Sequence, residues 1–443
     1  MEEQKQQIDE RIVGEDEGAK QRSTHHHHHH HSHHSHHRSG SSRKKTSKVA
    51  AFFKRHRSVL INVASCTVSV ILLVVLAVRT DVSRPTVPED SYTEMTNQTV
   101  KVEVSVFPQK VALVSEAVQQ YMTLDDSATV KEIYKSFEGH KSKLNTGLPL
   151  TVTYRVTGLP GGVSVDSAEL LMSENKPNGD VRTYTLDQGK TGVDVYNLKT
   201  GTAYDYRVTL TLSNACVLKT EGRVEIEQTP RILHIDGAAN VRDIGGWITT
   251  DGRTIRQGLL YRGSEIDGAV EPSYTLTENG RQQMLSELGI RFDMDLRAPS
   301  DNKNGVDPLG KNVIHKYYSM GMYADALTGN HNGHMRAVFM DLAQASHYPI
   351  YLHCTYGKDR TGTICYLLGA LLGVSESDLK KEYELSAFTD SYVNTAEFKA
   401  FVEKLHSFAG ASLQQKAERY LRSVGVTDEQ ITNIRTIFLE ENA

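Results

Sequence analysis

The sequence has few cysteines and little net charge for its length. Its 443 residues include four cysteines, Cys66, Cys216, Cys354 and Cys365, and the formal net charge is -4. Four scattered cysteines do not form the framework of a small disulfide-rich protein. The near balance of charge speaks against a dedicated nucleic-acid binder, which needs an excess of lysine and arginine to neutralise phosphates. A chain of this length allows two or three domains.

Long apolar runs are also scarce, and one of them stands out. Residues 58–78 form an uncharged stretch of 21 residues rich in valine, leucine and isoleucine. As a transmembrane helix, this stretch is long enough to cross a bilayer core of about 30 Å. Eight lysines and arginines lie at positions 38–57, whereas only Arg79 and Arg84 lie at positions 79–98. Because positive charge stays on the cytoplasmic side, we predict a single-pass cell-membrane protein with a cytoplasmic N-terminus and an extracellular C-terminal part.

The segment before this stretch lacks the pattern of a folded domain. In the segment after it, residues 100–107 alternate like a strand, and residues 111–121 and 127–137 have helical spacing. We predict a disordered cytoplasmic tail over residues 1–57 and a stalk of uncertain structure over residues 79–147. The tail holds eleven histidines at positions 25–37, interrupted by serines. Two interpretations of this histidine tract stay open, weak binding of metal ions or a solvated low-complexity tail. The serines disfavour a third, an engineered tag.

Residues 148–230 show a different pattern, an alternation of apolar and polar side chains. Runs of period two at 150–156, 183–186 and 206–212 are separated by turns that contain glycine or asparagine. Short strands at this spacing predict a β-sandwich of about 80–100 residues. The run LKTGTAY at 198–204 resembles the tyrosine corner of fibronectin type III domains, which implies that Tyr204 hydrogen-bonds back to the preceding loop. We expect a spacer or binding module without chemistry of its own.

Residues 231–443 have the size of one α/β domain. Strand-like runs at 258–261, 291–296 and 349–353 alternate with helical patterns, and further helical patterns fill the C-terminal part. This order predicts a mainly parallel sheet with helices on both faces. We predict no cofactor and no metal site in this domain.

The most informative stretch of the chain is residues 353–362, HCTYGKDRTG. An apolar run precedes it and another follows it, so we predict a strand, a tight loop at Gly357 and the N-terminus of a helix. Such a loop directs backbone N–H groups and the positive end of a helix dipole at one point. A Cys-x5-Arg spacing alone is a weak signal, but in this context Cys354 and Arg360 predict a phosphate-binding site with a thiol at its base.

These residues suggest a reaction at phosphorus. The loop amides favour the thiolate of Cys354, which attacks a bound phosphomonoester, while Arg360 grips two phosphoryl oxygens. A general acid must protonate the leaving oxygen; Asp359 is the first candidate and Asp325 the second. The predicted substrate-binding residues all lie in or beside the loop: His353, Thr355, Tyr356, Gly357, Lys358, Thr361 and Gly362.

Three of these residues have more specific expected roles. We expect His353 to hold the loop through hydrogen bonds rather than to transfer protons. Thr361 can donate its hydroxyl to the sulfur and so make Cys354 a better leaving group. Lys358 adds a second positive charge at the mouth of the loop, which favours substrates with more than one phosphate.

The loop resembles the P-loop of cysteine-dependent tyrosine phosphatases. Its Gly-Lys-Asp-Arg form is similar to the atypical bacterial tyrosine phosphatase family that includes the Listeria secreted phosphatase and mycobacterial protein-tyrosine phosphatase B. Two further motifs agree. The first is NVRDIGG at 240–246, followed by DGR at 251–253 and LYR at 260–262, and the second is DLR at 295–297. The resemblance covers about residues 231–440. Gly263 departs from it, because the family usually has serine there.

The resemblance implies an α/β cysteine-phosphatase fold and hydrolysis of phosphotyrosine, with phosphoserine, phosphothreonine or phosphoinositides as further substrates. Its partner would be a phosphorylated protein or a phospholipid. It implies that Asp359 is the general acid and that Asp295 supports the site. Arg242 and Asp243 of the first motif are further supporting residues.

Two alternatives come from other functional classes. One is a phosphate-binding surface module without turnover, which the complete set of Cys354, Asp359 and Arg360 disfavours. The other is a rhodanese or an arsenate reductase, which also use a cysteine and a nearby arginine. These enzymes lack the paired DIGG and DLR motifs, so a phosphatase is the preferred interpretation.

Overall fold

The computed structural model describes residues 100–107, 111–125, 147–186, 189–301, 307–389 and 395–441. The predicted tail at 1–57 and the predicted membrane segment at 58–78 lie outside the described residues. Within the described ranges, none of the helices combines the length and the apolar character needed to span a membrane. All described residues belong to one compact unit, within Asp90–Ala443.

Within the described residues, an antiparallel β-sandwich of seven strands occupies positions 101–226. The strands are β1 (Lys101–Phe107), β2 (Leu150–Thr157), β3 (Val165–Glu174), β4 (Val181–Leu186), β5 (Gly192–Val195), β6 (Thr202–Leu212) and β7 (Val217–Ile226). They form two sheets with the orders β1-β2-β5 and β4-β3-β6-β7. Val152 of the first sheet and Leu170 of the second pack in one hydrophobic core, so the two sheets pack face to face.

The sandwich begins earlier in the chain than the sequence predicts. β1 pairs antiparallel with β2 along its whole length, so the sandwich starts at β1 rather than at the predicted residue 148. A strand that joins its partner through a long connection leaves no hairpin signal in the sequence. The predicted tyrosine-corner contact is confirmed, because the Tyr204 hydroxyl accepts a hydrogen bond of 3.0 Å from the Lys199 amide.

A five-stranded sheet organises the C-terminal half of the described chain. Its strands are β8 (Arg242–Asp243), β9 (Leu260–Gly263), β10 (Phe292–Asp295), β11 (Ile314–Tyr317) and β12 (Ile350–His353). The order is β11-β10-β12-β9-β8, and every neighbouring pair is parallel except β8 with β9. This sheet confirms the predicted mainly parallel α/β architecture.

Helices cover both faces of this sheet. The α-helices of the described residues are α1 (Glu116–Met122), α2 (Glu278–Gln282), α3 (Asn332–Leu342), α4 (Asp359–Leu372), α5 (Glu376–Glu384), α6 (Thr395–His406), α7 (Leu413–Ser423) and α8 (Asp428–Phe438). On β12, Leu352 faces the large core formed by α3 to α8, whereas Tyr351 faces a smaller core with Met284, which follows α2. α1 lies in the predicted stalk, yet its Tyr121 packs into the large core.

Candidate active site

The predicted loop lies between β12 and α4. Cys354 directly follows β12, and Asp359 is the first residue of α4. Between them, Gly357 has a φ of 65°, a backbone conformation that favours glycine. A Cβ atom at this position would lie 2.2 Å from the carbonyl oxygen of Gly263. The loop therefore requires glycine at its turn, and the predicted order of strand, loop and helix is confirmed.

The carbonyl groups of the loop are held on its outer side. The side-chain amide of Asn240 donates hydrogen bonds of 3.1 Å to the carbonyls of both Tyr356 and Gly357. Arg262 donates to the second of these carbonyls at 2.8 Å. In a trans peptide the N–H group points away from the C=O group. These contacts therefore leave the loop amides directed towards the inner side of the loop, where Cys354 lies.

A buried carboxylate holds two arginines behind the loop. Glu382 of α5 accepts hydrogen bonds of 2.8 Å from Arg242 and 2.7 Å from Arg262. Burial disfavours the charged form of Glu382, but the attraction of both arginines outweighs it and lowers the pKa of this carboxyl. Arg242 also donates to the Asn240 side chain at 2.5 Å. The predicted supporting residue Arg242 thus acts on the loop through Asn240 and shares its counter-charge with Arg262.

Two polar atoms at the start of α4 lack a hydrogen-bond partner among the described residues. They are Arg360 Nε and Thr361 Oγ1, and both are buried. A terminal nitrogen of Arg360 lies 4.0 Å from Asp301 Oδ2, a long ion pair at the edge of the site. A buried donor without a partner costs roughly 1–3 kcal/mol. An oxyanion held in the loop would supply the missing acceptor for the guanidinium group.

The rim of the loop is aromatic and positively charged. Tyr356 is 37% exposed, and Lys358 Nζ lies 5.7 Å from the centre of its ring. The ring of Tyr274 meets Tyr356 edge-on at 6.0 Å. An aromatic ring of a substrate would find an apolar wall here, with a cation beside it.

One tyrosine holds Asp359, the first candidate for the general acid, and a second tyrosine contacts the first. The Tyr323 hydroxyl donates to Asp359 Oδ1 and lies 2.8 Å from the Tyr383 hydroxyl. Gly362 leaves room for the second ring, because a Cβ atom there would lie 2.8 Å from Tyr383. Asp359 is therefore fixed next to Arg360, at the end of the loop.

Asp325, the second candidate, has a different environment. Its carboxylate lies 3.1 Å from His331 Nε2, and its side chain is 62% exposed. It belongs to the same 3-10 helix as Tyr323, at Tyr323–Leu327. The structure thus directs a tyrosine of this helix to Asp359 and pairs Asp325 with a surface histidine.

His353 is buried beneath the loop and does not line it. Its Nδ1 lies 3.3 Å from the Cys354 carbonyl, and its Nε2 lies 3.0 Å from Asp293 and 3.8 Å from Asp295. Burial disfavours the charged ring, but the attraction of Asp295 and Asp293 outweighs it and raises the pKa of His353 to about 9. The ring therefore faces the two carboxylates and not the inside of the loop. This geometry agrees with the expected role of His353 in holding the loop and corrects its predicted contact with substrate.

Asp295 supports the loop through an arginine. Both of its oxygens accept hydrogen bonds of 3.0 Å from Arg297 Nε, and Arg297 also pairs with Asp267 and Glu265. The backbone amide of Glu265 donates to the Thr355 carbonyl at 3.0 Å, so Thr355 is tied to this cluster. Burial disfavours the charged form of Asp295, but neighbouring positive charges lower its pKa.

Asp243, the other predicted supporting residue, lies away from the loop. It accepts a hydrogen bond of 2.7 Å from Arg231 and one of 2.6 Å from the Gly258 amide. Arg231 donates at 2.7 Å to the carbonyl of Asn197, which belongs to the sandwich. Asp243 therefore fixes the junction between the two domains, whereas its neighbour Arg242 faces the loop network.

Several residues of the site were not predicted as such. Arg262 stood within a recognised motif, LYR, so a signal for it existed. Glu382 lies in a charged helical pattern that looks like an ordinary surface helix, and Tyr323 lies in a segment without a regular pattern. Only the three-dimensional arrangement brings these two residues to the loop.

A parallel sheet whose central strand leads into a cysteine-containing phosphate loop defines the class of cysteine-dependent phosphatases. Residues 233–440 match the model of the tyrosine phosphatase family. The match lies in the C-terminal part of the chain and begins after the sandwich.

Individual relatives agree with this assignment. A putative tyrosine-protein phosphatase of Cupriavidus necator is 28% identical over 34% of this chain and 61% of its own length. A tyrosine-protein phosphatase of Nostoc commune is 25% identical over 34% of this chain and 67% of its own length. The chain therefore spans about three fifths of the length of the first relative. Among solved structures, the core catalytic domain of the PP-IP phosphatase Siw14 from S. cerevisiae is 15% identical to this chain. The alignment covers 37% of this chain and 90% of the Siw14 domain, and its TM-score of 0.25 is too low to support an argument.

Proposed function

We propose that this protein is a cysteine-dependent phosphatase that hydrolyses phosphotyrosine through a phosphocysteine intermediate. The observation that carries the proposal is the loop itself. Its carbonyls are held outward by Asn240 and Arg262, while Arg360 Nε and Thr361 Oγ1 are buried without a hydrogen-bond partner among the described residues. Such a site has donors for an oxyanion and a thiol beneath them.

The first step forms the bond between sulfur and phosphorus. The Cys354 thiolate attacks the phosphorus atom in line with the leaving oxygen, and the bond between phosphorus and that oxygen breaks. Asp359 gives its proton to the leaving oxygen. Arg360 and the loop amides stabilise the charge on the equatorial oxygens.

The second step regenerates the thiolate. Asp359 takes a proton from a water molecule that attacks the phosphocysteine, and the bond between phosphorus and sulfur breaks. A hydrogen bond from Thr361 to the sulfur would stabilise the departing thiolate. Phosphate then leaves the loop.

The decisive experiment replaces the nucleophile. Cys354→Ser should lower kcat for p-nitrophenyl phosphate by at least about 10³-fold, with the protein still folded by circular dichroism. Cys216→Ser is the matched control, because Cys216 is a free cysteine of the sandwich and should leave kcat unchanged. Full activity of Cys354→Ser would refute the mechanism.

The choice of the general acid can be tested with a matched pair of variants. We expect Asp359→Asn to lower kcat for a phosphotyrosine peptide by about 10²-fold or more. The loss should be smaller for p-nitrophenyl phosphate, whose leaving group needs less help from a proton. Asp325→Asn should behave like the wild type with both substrates. The reverse pattern would transfer the role to Asp325.

The substrate class rests on the rim of the loop. The rings of Tyr356 and Tyr274 support phosphotyrosine, whose own ring can pack against them. The Lys358 ammonium beside Tyr356 favours a second candidate, a phosphoinositide with more than one phosphate. Parallel assays of kcat/KM on phosphotyrosine peptides and on short-chain phosphoinositides decide between the two.

We propose further that residues 58–78 anchor the protein and place the phosphatase domain outside the cell. The length of the uncharged stretch and the excess of lysine and arginine before it support this. The two sheets and the tyrosine corner support a fibronectin type III-like spacer between anchor and enzyme. Protease added to intact cells should degrade the C-terminal domain; complete protection of that domain would contradict the proposed orientation.

A further inference from the structure

Three side chains that commonly bind metal ions surround a gap on the sheet face that carries His353. Asp293 of β10 lies opposite His315 of β11 in the parallel register, and Asp307 lies on the connection between these strands. One ligand atom from each of the three lies within 4.8 Å of the others. The strand register and the connection therefore bring two carboxylates and one imidazole together.

The distances within this group are too long for hydrogen bonds. His315 Nδ1 lies 3.6 Å from Asp293 Oδ2 and 3.9 Å from Asp307 Oδ2, whereas a hydrogen bond between N and O spans about 2.7–3.2 Å. Ligand atoms about 2.0–2.1 Å from a tetrahedral Zn²⁺ are separated by about 3.4 Å. The observed spacing therefore resembles a ligand shell more closely than a hydrogen-bonded cluster.

A second observation is the state of the Asp293 carboxylate. Its side chain is 1% exposed, and its Oδ1 pairs with His353 Nε2 at 3.0 Å. Its Oδ2 has no hydrogen-bond partner among the described residues and lies 3.6 Å from His315 Nδ1, across the gap. A buried carboxylate oxygen without a partner is costly, and a cation in the gap would remove that cost.

The outer contacts of the group also suit a metal site. Asp307 Oδ1 accepts a hydrogen bond of 2.9 Å from the Leu309 amide, which leaves Oδ2 for the gap. The other ring nitrogen of His315, Nε2, is buried without a hydrogen-bond partner in the described part of the chain and lies 3.9 Å from Asp295. Carboxylates and amides in such positions orient metal ligands in known sites.

We propose that Asp293, Asp307 and His315 bind one divalent transition-metal ion of the Zn²⁺ class. One imidazole and two carboxylates suit Zn²⁺, Co²⁺ or Mn²⁺ better than Mg²⁺ or Ca²⁺, which prefer a shell of oxygens. Three protein ligands leave a fourth position for water. This site differs from the sequence-based prediction of no metal in the domain, because three ligands at irregular spacing form no recognisable motif. It is independent of the proposed phosphatase activity.

The test measures stabilisation by the metal alone. The full chain is used with the eleven histidines of the tract at 25–37 replaced by serine, so that the tract cannot bind the ion. After treatment with EDTA, Zn²⁺ or Co²⁺ should raise the melting temperature. At a free metal concentration of 100 times Kd, the unfolding equilibrium constant should fall about 100-fold. Titration calorimetry should give one ion per chain.

Variants identify the ligands. Asp307→Asn and His315→Gln should abolish the shift caused by the metal, whatever their own melting temperature without it. His406→Gln is the matched control, since this histidine forms an exposed pair with Glu376, and it should keep the full shift. The absence of a shift in the parent chain, or equal shifts in parent and ligand variants, would overturn the proposal. A larger response to Mg²⁺ or Ca²⁺ would overturn the metal class.

Discussion

Replacement of Glu382 by glutamine should reveal how strongly one carboxylate supports the loop. Glu382 is the counter-charge of both Arg242 and Arg262, and all three side chains are at most 8% exposed. Glutamine has nearly the same shape, and its oxygen can accept from one arginine. Its amide group would then face the other guanidinium, and neither arginine would keep a counter-charge.

The expected loss of stability is large for a single isosteric change. Removal of one partner from a buried ion pair costs about 3–5 kcal/mol, and here one removal affects two cations. With a urea slope of about 3 kcal/mol per molar, this corresponds to a midpoint lower by about 1–2 M. Because Arg262 also holds the Gly357 carbonyl, kcat should fall along with stability.

Equilibrium unfolding of the full chain in urea measures this effect, with Glu403→Gln as the control. Glu403 is 68% exposed in a loose pair with Lys399, so its replacement should change stability by no more than about 0.5 kcal/mol. The pH dependence gives a second check. The pKa of Glu382 is lowered from an ordinary value of 4.5, so its contribution is present above that pH and lost as the pH falls through the folded pKa. A loss below about 1 kcal/mol at neutral pH, or a loss that grows in acid, would refute the reasoning.

Three further changes test other parts of the structure. Gly357→Ala should abolish most activity, because φ is positive there and the new Cβ would clash with a backbone carbonyl. The measurements are kcat on p-nitrophenyl phosphate and the melting temperature, and wild-type values for both would contradict the prediction. Tyr323→Phe removes the donor to Asp359 and should lower kcat for phosphotyrosine peptides about tenfold with little change in KM. A change in KM alone would contradict the role of Tyr323 in positioning Asp359. Tyr204→Phe removes the hydrogen bond of the tyrosine corner and should destabilise the protein by about 1 kcal/mol in urea unfolding, without an effect on kcat.

The sequence predicts the parts of the molecule that depend on neighbouring residues. The two apolar runs around the loop and the glycine in it specify the turn after β12. The alternation at 206–212 specifies β6. In contrast, β1 joins its sheet through a long connection, and Glu382 reaches the loop from a helix that is distant in sequence. Such contacts depend on tertiary packing, which no local pattern records.

The same limit explains why His353 was placed among the substrate contacts. Its position next to Cys354 suggests proximity to substrate, but adjacent residues at the end of a strand point to opposite sides. The ring therefore meets Asp293 and Asp295 rather than the loop interior. Asp243 is predicted as a supporting residue because it belongs to the NVRDIGG motif, but its side chain pairs with Arg231 and the Gly258 amide.

The contacts of Arg231 limit how far the chain can be shortened from its N-terminus without loss of folding. Arg231 is buried and donates to the carbonyls of Asn197 and Leu198 as well as to Asp243. A fragment that starts at residue 231 keeps the charge but loses both carbonyls, and it also loses helix α1. The smallest fragment that unfolds cooperatively should therefore include the sandwich. The limits of the folding unit thus differ from the limits of the region that matches the family model.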